Sequence, residues 1–274
     1  MKSTPLFLGI SALLLIAEGS PLAAAIFAWL GGIQILNFAA ARFPFAPSIH
    51  WLHAMTFEPL ALLGVAVMRL APFWEKGSGK GQPILLIHGY MNHSSVWTLQ
   101  KKRLEALGFG PIYGIDLGHP FQSIRRYAEK VREKAKAIAE QTGRKDLILI
   151  GHSMGGLVGC WYATQLASPH TVTDVITIGT PLVGTPLARI GLGLSAREME
   201  PNSDLIRQLQ LAMAQDKEIR FHHIATKRDQ FVIPGISALI TDNKHFILED
   251  IGHASLLYSR RVTAKVVEWL RGKV

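Results

Sequence analysis

The sequence predicts an α/β domain: a mainly parallel sheet with helices on both faces, preceded by an apolar helical N-terminal segment. Three observations carry that expectation. From residue 83 onward, short β-branched apolar runs alternate with longer segments of helical period, the pattern of strands buried on both sides. The run Asp146-Leu-Ile-Leu-Ile150 closes on Gly151-His-Ser-Met-Gly155, and small and apolar residues of helical character follow, so a strand passes through a sharp turn into a helix. The third is the front of the chain, where residues 1–74 hold only five charged side chains, Lys2, Glu18, Arg42, Glu58 and Arg69.

That front reads as a membrane-anchoring set of apolar helices over 1–74. Residues 5–17 form one apolar block, broken by Glu18-Gly-Ser-Pro21; Leu22–Ala41 forms a second without charge, long enough to span a bilayer. Leu60–Leu70 is too short to span and suits an interfacial or domain-covering helix. The rival is a cleaved secretory signal, with Lys2 before an apolar centre and Leu22-Ala-Ala-Ala25 as small residues for cleavage; a soluble apolar cap is the third reading. Flanking charges are too few to orient a span. Nearly all of the +9 net charge therefore belongs to the remainder of the chain, which suits an anionic lipid surface or substrate. The basic residues are scattered and no nucleic-acid motif is visible.

The Gly-rich, charged stretch 75–82 is the expected linker, and 83–274 the expected catalytic domain. Within it, Pro83–His88 reads as a strand, Val96–Leu107 as a helix and Ile112–Asp116 as a strand. Ser123–Thr142 places Ile124, Tyr127, Val131, Ala135 and Ile138 on one face and stops at Gly143, an amphipathic helix with a glycine end. Asp146–Ile150, Thr173–Ile178, Ile219–Thr226 and His245–Leu248 are further strands. Met154–Leu166 and Ala254–Leu270 are helices, and 185–215 is either a lid-like insertion or an ordinary packed helix pair.

A serine hydroxyl needs a base, an acid that orients the base, and donors for the oxyanion it creates. Ser153 in the Gly-x-Ser-x-Gly turn is the candidate nucleophile. When that turn sits between strand and helix, the chain order is Ser, acid, His. His253, in the loop before the last helix, is the candidate base, with His245 as runner-up; His222 and His223 lie within a strand. Asp229 follows a strand by a short loop and precedes His253 by 24 residues, which favours it over Asp250, Asp242 and Asp204. The backbone N–H groups of Tyr90, after His88-Gly89, and of Met154 are the expected oxyanion donors. His88 reads as a residue that positions its loop. Cys160, the single cysteine, reads as a small core residue.

These residues resemble the α/β-hydrolase family, in its lipase and esterase branch, over roughly 83–270. The resemblance rests on His88-Gly89, Gly151–Gly155, Gly179-Thr-Pro181 with Gly184, Met199-Glu-Pro-Asn-Ser203, Asp229 and Gly252-His253-Ala-Ser-Leu-Leu257. It implies the α/β-hydrolase fold and ester hydrolysis through an acyl-enzyme, with no cofactor and no catalytic metal. His88, Gly89, His152 and Leu182 are then expected to border the substrate. Leu182 stands where many bacterial triacylglycerol lipases carry a histidine, and their calcium-binding carboxylates have no counterpart that can be placed here. The apolar front points to a membrane-tethered relative, similar to the GPI inositol-deacylase-like group. The expected partners are a lipid or acyl-ester substrate and a membrane, with the bacterial inner membrane as location and secretion after signal cleavage as the alternative. An acyltransferase or thioesterase would use the same triad, and a non-catalytic membrane-anchored binding protein would keep only the fold.

Overall fold

Six apolar runs pair into one parallel sheet in the computed structural model, which describes residues 49–68, 79, 81–240 and 244–272. Their spans are β1 Ile84–Ile87, β2 Ile112–Ile115, β3 Leu147–His152, β4 Val172–Ile178, β5 Arg220–Thr226 and β6 Lys244–Leu248, in the order β2-β1-β3-β4-β5-β6. Alternation within each run explains why both faces need cover. Leu85, Ile87, Leu149 and Val175 enter one core cluster, whereas Ile84, Leu86, Ile148, Ile150, Ile176 and Ile178 enter the other.

Helices supply that cover: α1 Ile49–Met68, α2 Thr98–Ala106, α3 Ile124–Thr142, α4 Met154–Trp161, α5 Leu194–Glu198, α6 Asp204–Gln215 and α7 Arg260–Arg271. Helix α3 buries the expected stripe of Ile124, Tyr127, Val131, Ala135 and Ile138. Ser123 accepts from Arg125 N–H at its start, and Gly143 ends it in the left-handed region (φ 68°). With Leu157 of α4 and Leu209 of α6, this stripe fills the first core; Val262, Val266 and Leu270 of α7 fill the second.

Some boundaries differ from expectation, each for a local reason. The closing segment is a 3₁₀ turn, Ala254–Leu257, and then a separate α7. Ser259 caps that helix by accepting from Val262 N–H, so the chain restarts there. Similarly, His93 caps a 3₁₀ turn over Ser94–Trp97 before α2. The helix after Ser153 continues past Trp161 as a π turn, Tyr162–Leu166. Over 185–215 the chain forms a 3₁₀ turn (Pro186–Ile190), α5 and α6. Leu205, Ile206, Leu209 and Met213 of α6 are buried, whereas Ile190, Leu192 and Leu194 ahead of them are exposed.

Helix α1 belongs to the same compact unit as the sheet, Ile49–Val274, although the sequence places these residues in the N-terminal part. Among the described residues no helix is long and apolar enough to cross a membrane. The apolar blocks 5–17 and Leu22–Ala41, and most of the linker 75–82, lie outside the described residues.

Candidate active site

The chain leaves β1 for β2 on one side and then returns to β3 on the other. The loops after β1 and β3 therefore diverge at the carboxyl ends of adjacent strands, where a crevice opens in open parallel sheets. Ser153 lies in that crevice, directly after β3 and directly before α4. Its backbone has φ 56° and ψ −130°, a sparsely populated conformation for a residue with a side chain. The surroundings enforce it. Ser153 N–H donates to Ile178 O at 2.9 Å, and Gly156 N–H donates to Ser153 O at 3.0 Å. A Cβ on Gly151 would stand 2.5 Å from Gly155 O and Gly156 Cα, and one on Gly155 would overlap the carbonyls of Ile87 and His88. The tight strand-to-helix turn thus works only with glycine at both ends.

The loop after β1 crosses close to the nucleophile, since a Cβ on Gly89 would lie 2.9 Å from Ser153 Cβ. Buried His88 shapes this loop. Leu117 N–H donates to its Nε2 at 3.1 Å, which leaves the proton on Nδ1 to be donated to Gly89 O at 2.9 Å. Tyr90 comes next, and its hydroxyl donates to Leu192 O (2.7 Å) and accepts from Leu192 N–H (3.0 Å). The exposed stretch 190–194 is therefore tied to the same loop. Met154 is the first residue of α4, where helix geometry leaves backbone N–H groups without intrahelical acceptors.

Asp229 and His253 are brought together although 24 positions separate them. His253 Nδ1–H donates to Asp229 Oδ2 at 2.8 Å. Asp229 Oδ1 accepts from the N–H groups of Phe231 (2.9 Å) and Val232 (2.7 Å), so the carboxylate is fixed before the histidine meets it. Burial lowers the basicity of His253, but the charge and hydrogen bond of Asp229, with the charge of Glu58, outweigh it. The net pKa lies above the ordinary 6.5. With Nδ1 engaged, Nε2 is the nitrogen that can take a proton.

His152 sits beside them, its ring 4.6 Å from that of His253, and its Nε2–H donates to His253 O at 3.1 Å. Burial, and then the charge of His253, hold it well below the usual histidine range, so it stays neutral and braces the loop. Leu182 is wholly buried in the core with Met154 and Leu157. Of the competing residues, Asp250 pairs with Arg261 at 2.7 Å and Asp204 with Arg207 on the surface. His223 lies in β5, bonded through Nδ1 to Thr177 Oγ1, and burial pushes it down to about 3. Buried Cys160 has its thiol pKa pushed up by desolvation, as a core residue should.

Three residues hold the histidine loop without having been singled out from the sequence. Gln230 Oε1 accepts from His253 N–H at 3.1 Å, Thr226 Oγ1 donates to Ile251 O, and Glu58 accepts from the backbone of 254 and 255. Gln230 adjoins Asp229, which is the signal that could have found it. Among the described residues no group of three or more His, Cys, Asp or Glu side chains could hold a metal ion.

Known proteins share this architecture. Pimeloyl-[acyl-carrier protein] methyl ester esterase of Vibrio cholerae serotype O1 is 30% identical over 115 residues, 41% of this chain and 42% of the esterase. The chain thus matches less than half the length of that curated relative. Among solved structures, the mature form of Bacillus licheniformis lipase BlEst2 superposes with a TM-score of 0.61 at 17% identity, covering 73% of this chain and 95% of the lipase. Aspergillus fumigatus lipase B gives 0.59 at 17% identity, over 73% of this chain and 56% of that one. At such identities the likeness is one of fold alone. The profile of the alpha/beta hydrolase family matches residues 84–262, from the first strand into the last helix, and the chain belongs to that family.

Proposed function

We propose that the protein is a serine hydrolase of carboxylic esters, with lipid or long-chain acyl esters as substrates and Ser153, His253 and Asp229 as its triad. The observation that supports this reading is the 2.8 Å bond between His253 and Asp229, with the His253 ring 4.6 Å from that of His152, the residue before the strained Ser153. Ser153 Oγ attacks the ester carbonyl carbon as His253 Nε2 takes its proton, and the N–H groups of Tyr90 and Met154 receive the oxyanion. Collapse breaks the carbon–oxygen bond to the alcohol, which leaves with the proton from His253, and Ser153 is acylated. Water then attacks the acyl carbon, again giving its proton to His253, and the acid departs as Ser153 recovers the proton.

Exposed Ile190, Leu192 and Leu194, tethered through Tyr90 beside the nucleophile, support an apolar acyl chain over a small polar one. The apolar blocks of residues 1–48 support attachment to a membrane that holds such substrates. A second reading, an ester presented on an acidic carrier protein, is favoured by the +9 charge and by the relative from Vibrio cholerae, whose substrate is attached to acyl-carrier protein.

Full-length protein assayed on p-nitrophenyl esters from short to long chain tests the proposal, with Ser153→Ala as control. Turnover falling by roughly 10⁴-fold or more in the variant, with preference for longer chains, supports it. Labelling of wild type by a fluorophosphonate with no ester turnover sinks the ester assignment, and absence of labelling sinks the serine hydrolase itself. Faster turnover of an acyl-carrier-bound ester than of any free one moves the assignment to the second reading.

A further inference from the structure

Glu58 lies on α1, a helix with few other polar groups, and is wholly buried. Its carboxylate oxygens accept from Ala254 N–H, from Ser255 N–H at 3.1 Å and from Ser255 Oγ–H at 2.7 Å. Three donors from the two residues after His253 thus converge on one side chain from 196 and 197 positions away. The fit is close enough that a Cβ on Gly252 would overlap the Glu58 carboxyl group, which gives a reason for glycine before the histidine. A buried carboxylate is tolerated only where donors or a positive charge compensate it. The donors are in place, and positive charge arises nearby when His253 is protonated.

We propose that Glu58 is a positioning residue for catalysis: it fixes the backbone of 253–255 and favours the imidazolium that His253 becomes during proton transfer. The proposal rests on the triad assigned above. Glu58 is placed to act as a second carboxylate behind the loop, while Asp229 holds the ring itself. Groups facing His253 are Asp229 from the loop after β5, Glu58 from α1 and neutral His152 from β3. Facing Glu58 are His253 and Tyr258, whose phenol burial, and then the charge of Glu58, push up to about 12. The pKa of Glu58 lies above the ordinary 4.5: burial raises it, and the Ser255 and Ala254 hydrogen bonds and the charge of His253 offset only part of that rise.

Glu58→Gln in the full-length chain separates charge from shape. Ester hydrolysis is measured against pH, with rates normalised to active sites titrated by a fluorophosphonate, and thermal melting is recorded alongside. A carboxylate raises the pKa of a neighbouring histidine, so its removal moves the acid limb of kcat to lower pH. The expected result is that shift, with kcat reduced about 10- to 100-fold and KM for a short soluble ester nearly unchanged. A purely structural Glu58 would instead lower the melting temperature and the titratable fraction, leaving kcat per site and the acid limb in place; that result overturns the proposal. Should Glu58→Gln fold poorly, Ser255→Ala removes a single donor and is expected to shift kcat and the acid limb the same way, but less. No change in either quantity for Ser255→Ala also overturns it. Wild type lacking Ser153-dependent turnover marks failure of the functional reading itself, and is seen before any Glu58 variant is compared.

Discussion

Asp229 contributes more than a charge, because its two carboxylate oxygens have separate partners. Oδ1 is held by two backbone N–H groups and Oδ2 by His253. Asp229→Asn preserves the size of the group but presents an amide N–H₂ to the ring or to those N–H groups, so the imidazole tautomer is lost. Under the proposed mechanism kcat should fall about 10³- to 10⁴-fold with the melting temperature little changed, as single-turnover kinetics and calorimetry would show. The raised pKa of His253 has a consequence of definite sign. In the proposed mechanism His253 must be neutral, so activity should disappear as pH falls through a value above 6.5, and a kcat/KM profile centred below it would count against His253 as the base. The turn at Ser153 and the pairing of Asp229 with His253 were legible in the sequence because local pattern marks them: a glycine-bounded turn after a strand, and loop residues in a fixed order. Glu58 was visible only as one of five charges in an apolar stretch. No local pattern announces an acceptor whose donors lie nearly two hundred residues away.

At the level of elements, the strands were read almost as they stand, since runs apolar on both faces leave little choice of structure. Helix α3 was equally plain, with Ser123 and Gly143 supplying both ends. Boundaries failed where a polar side chain redirects the chain within an apolar pattern, as Ser259 does in dividing Ala254–Leu257 from α7. The segment 185–215 was open between two readings, and the structure explains the ambiguity: a short exposed apolar stretch precedes the packed α6. Its attachment to the loop after β1 runs through the Tyr90 hydroxyl. Tyr90→Phe removes both bonds to Leu192 and leaves the backbone of residue 90 intact. Amide exchange over 190–194 should then accelerate by about 5- to 10-fold, corresponding to roughly one hydrogen bond of local stability. Unchanged exchange would mean that other contacts hold the stretch.

The compact unit of the molecule begins earlier in sequence than composition suggests. A Gly-rich, charged stretch at 75–82 looks like a boundary, yet α1 before it packs on the far end of the fold. A Cβ on Gly64 would lie 3.5 Å from the Tyr258 ring, and Val65 packs against the core that α7 helps to fill. A chain beginning at residue 75 would lose these contacts and the only acidic side chain that bonds Ala254 and Ser255 among the described residues. Its melting temperature should drop by roughly 5 °C or more relative to a chain beginning at residue 49, measurable by scanning fluorimetry. Equal melting temperatures would show that α1 adds nothing to stability. The same long-range contact sets a schedule for the nascent chain. The ribosome makes Glu58 early, yet its hydrogen bonds to Ala254 and Ser255 must wait until those residues have been synthesised and have left the exit tunnel. Until then an emerging chain carries Ser153 and Glu58 without His253 or the two residues that Glu58 binds. Under the proposed mechanism the emerging chain is therefore inert towards any ester until residues 253–255 are free to fold back onto α1.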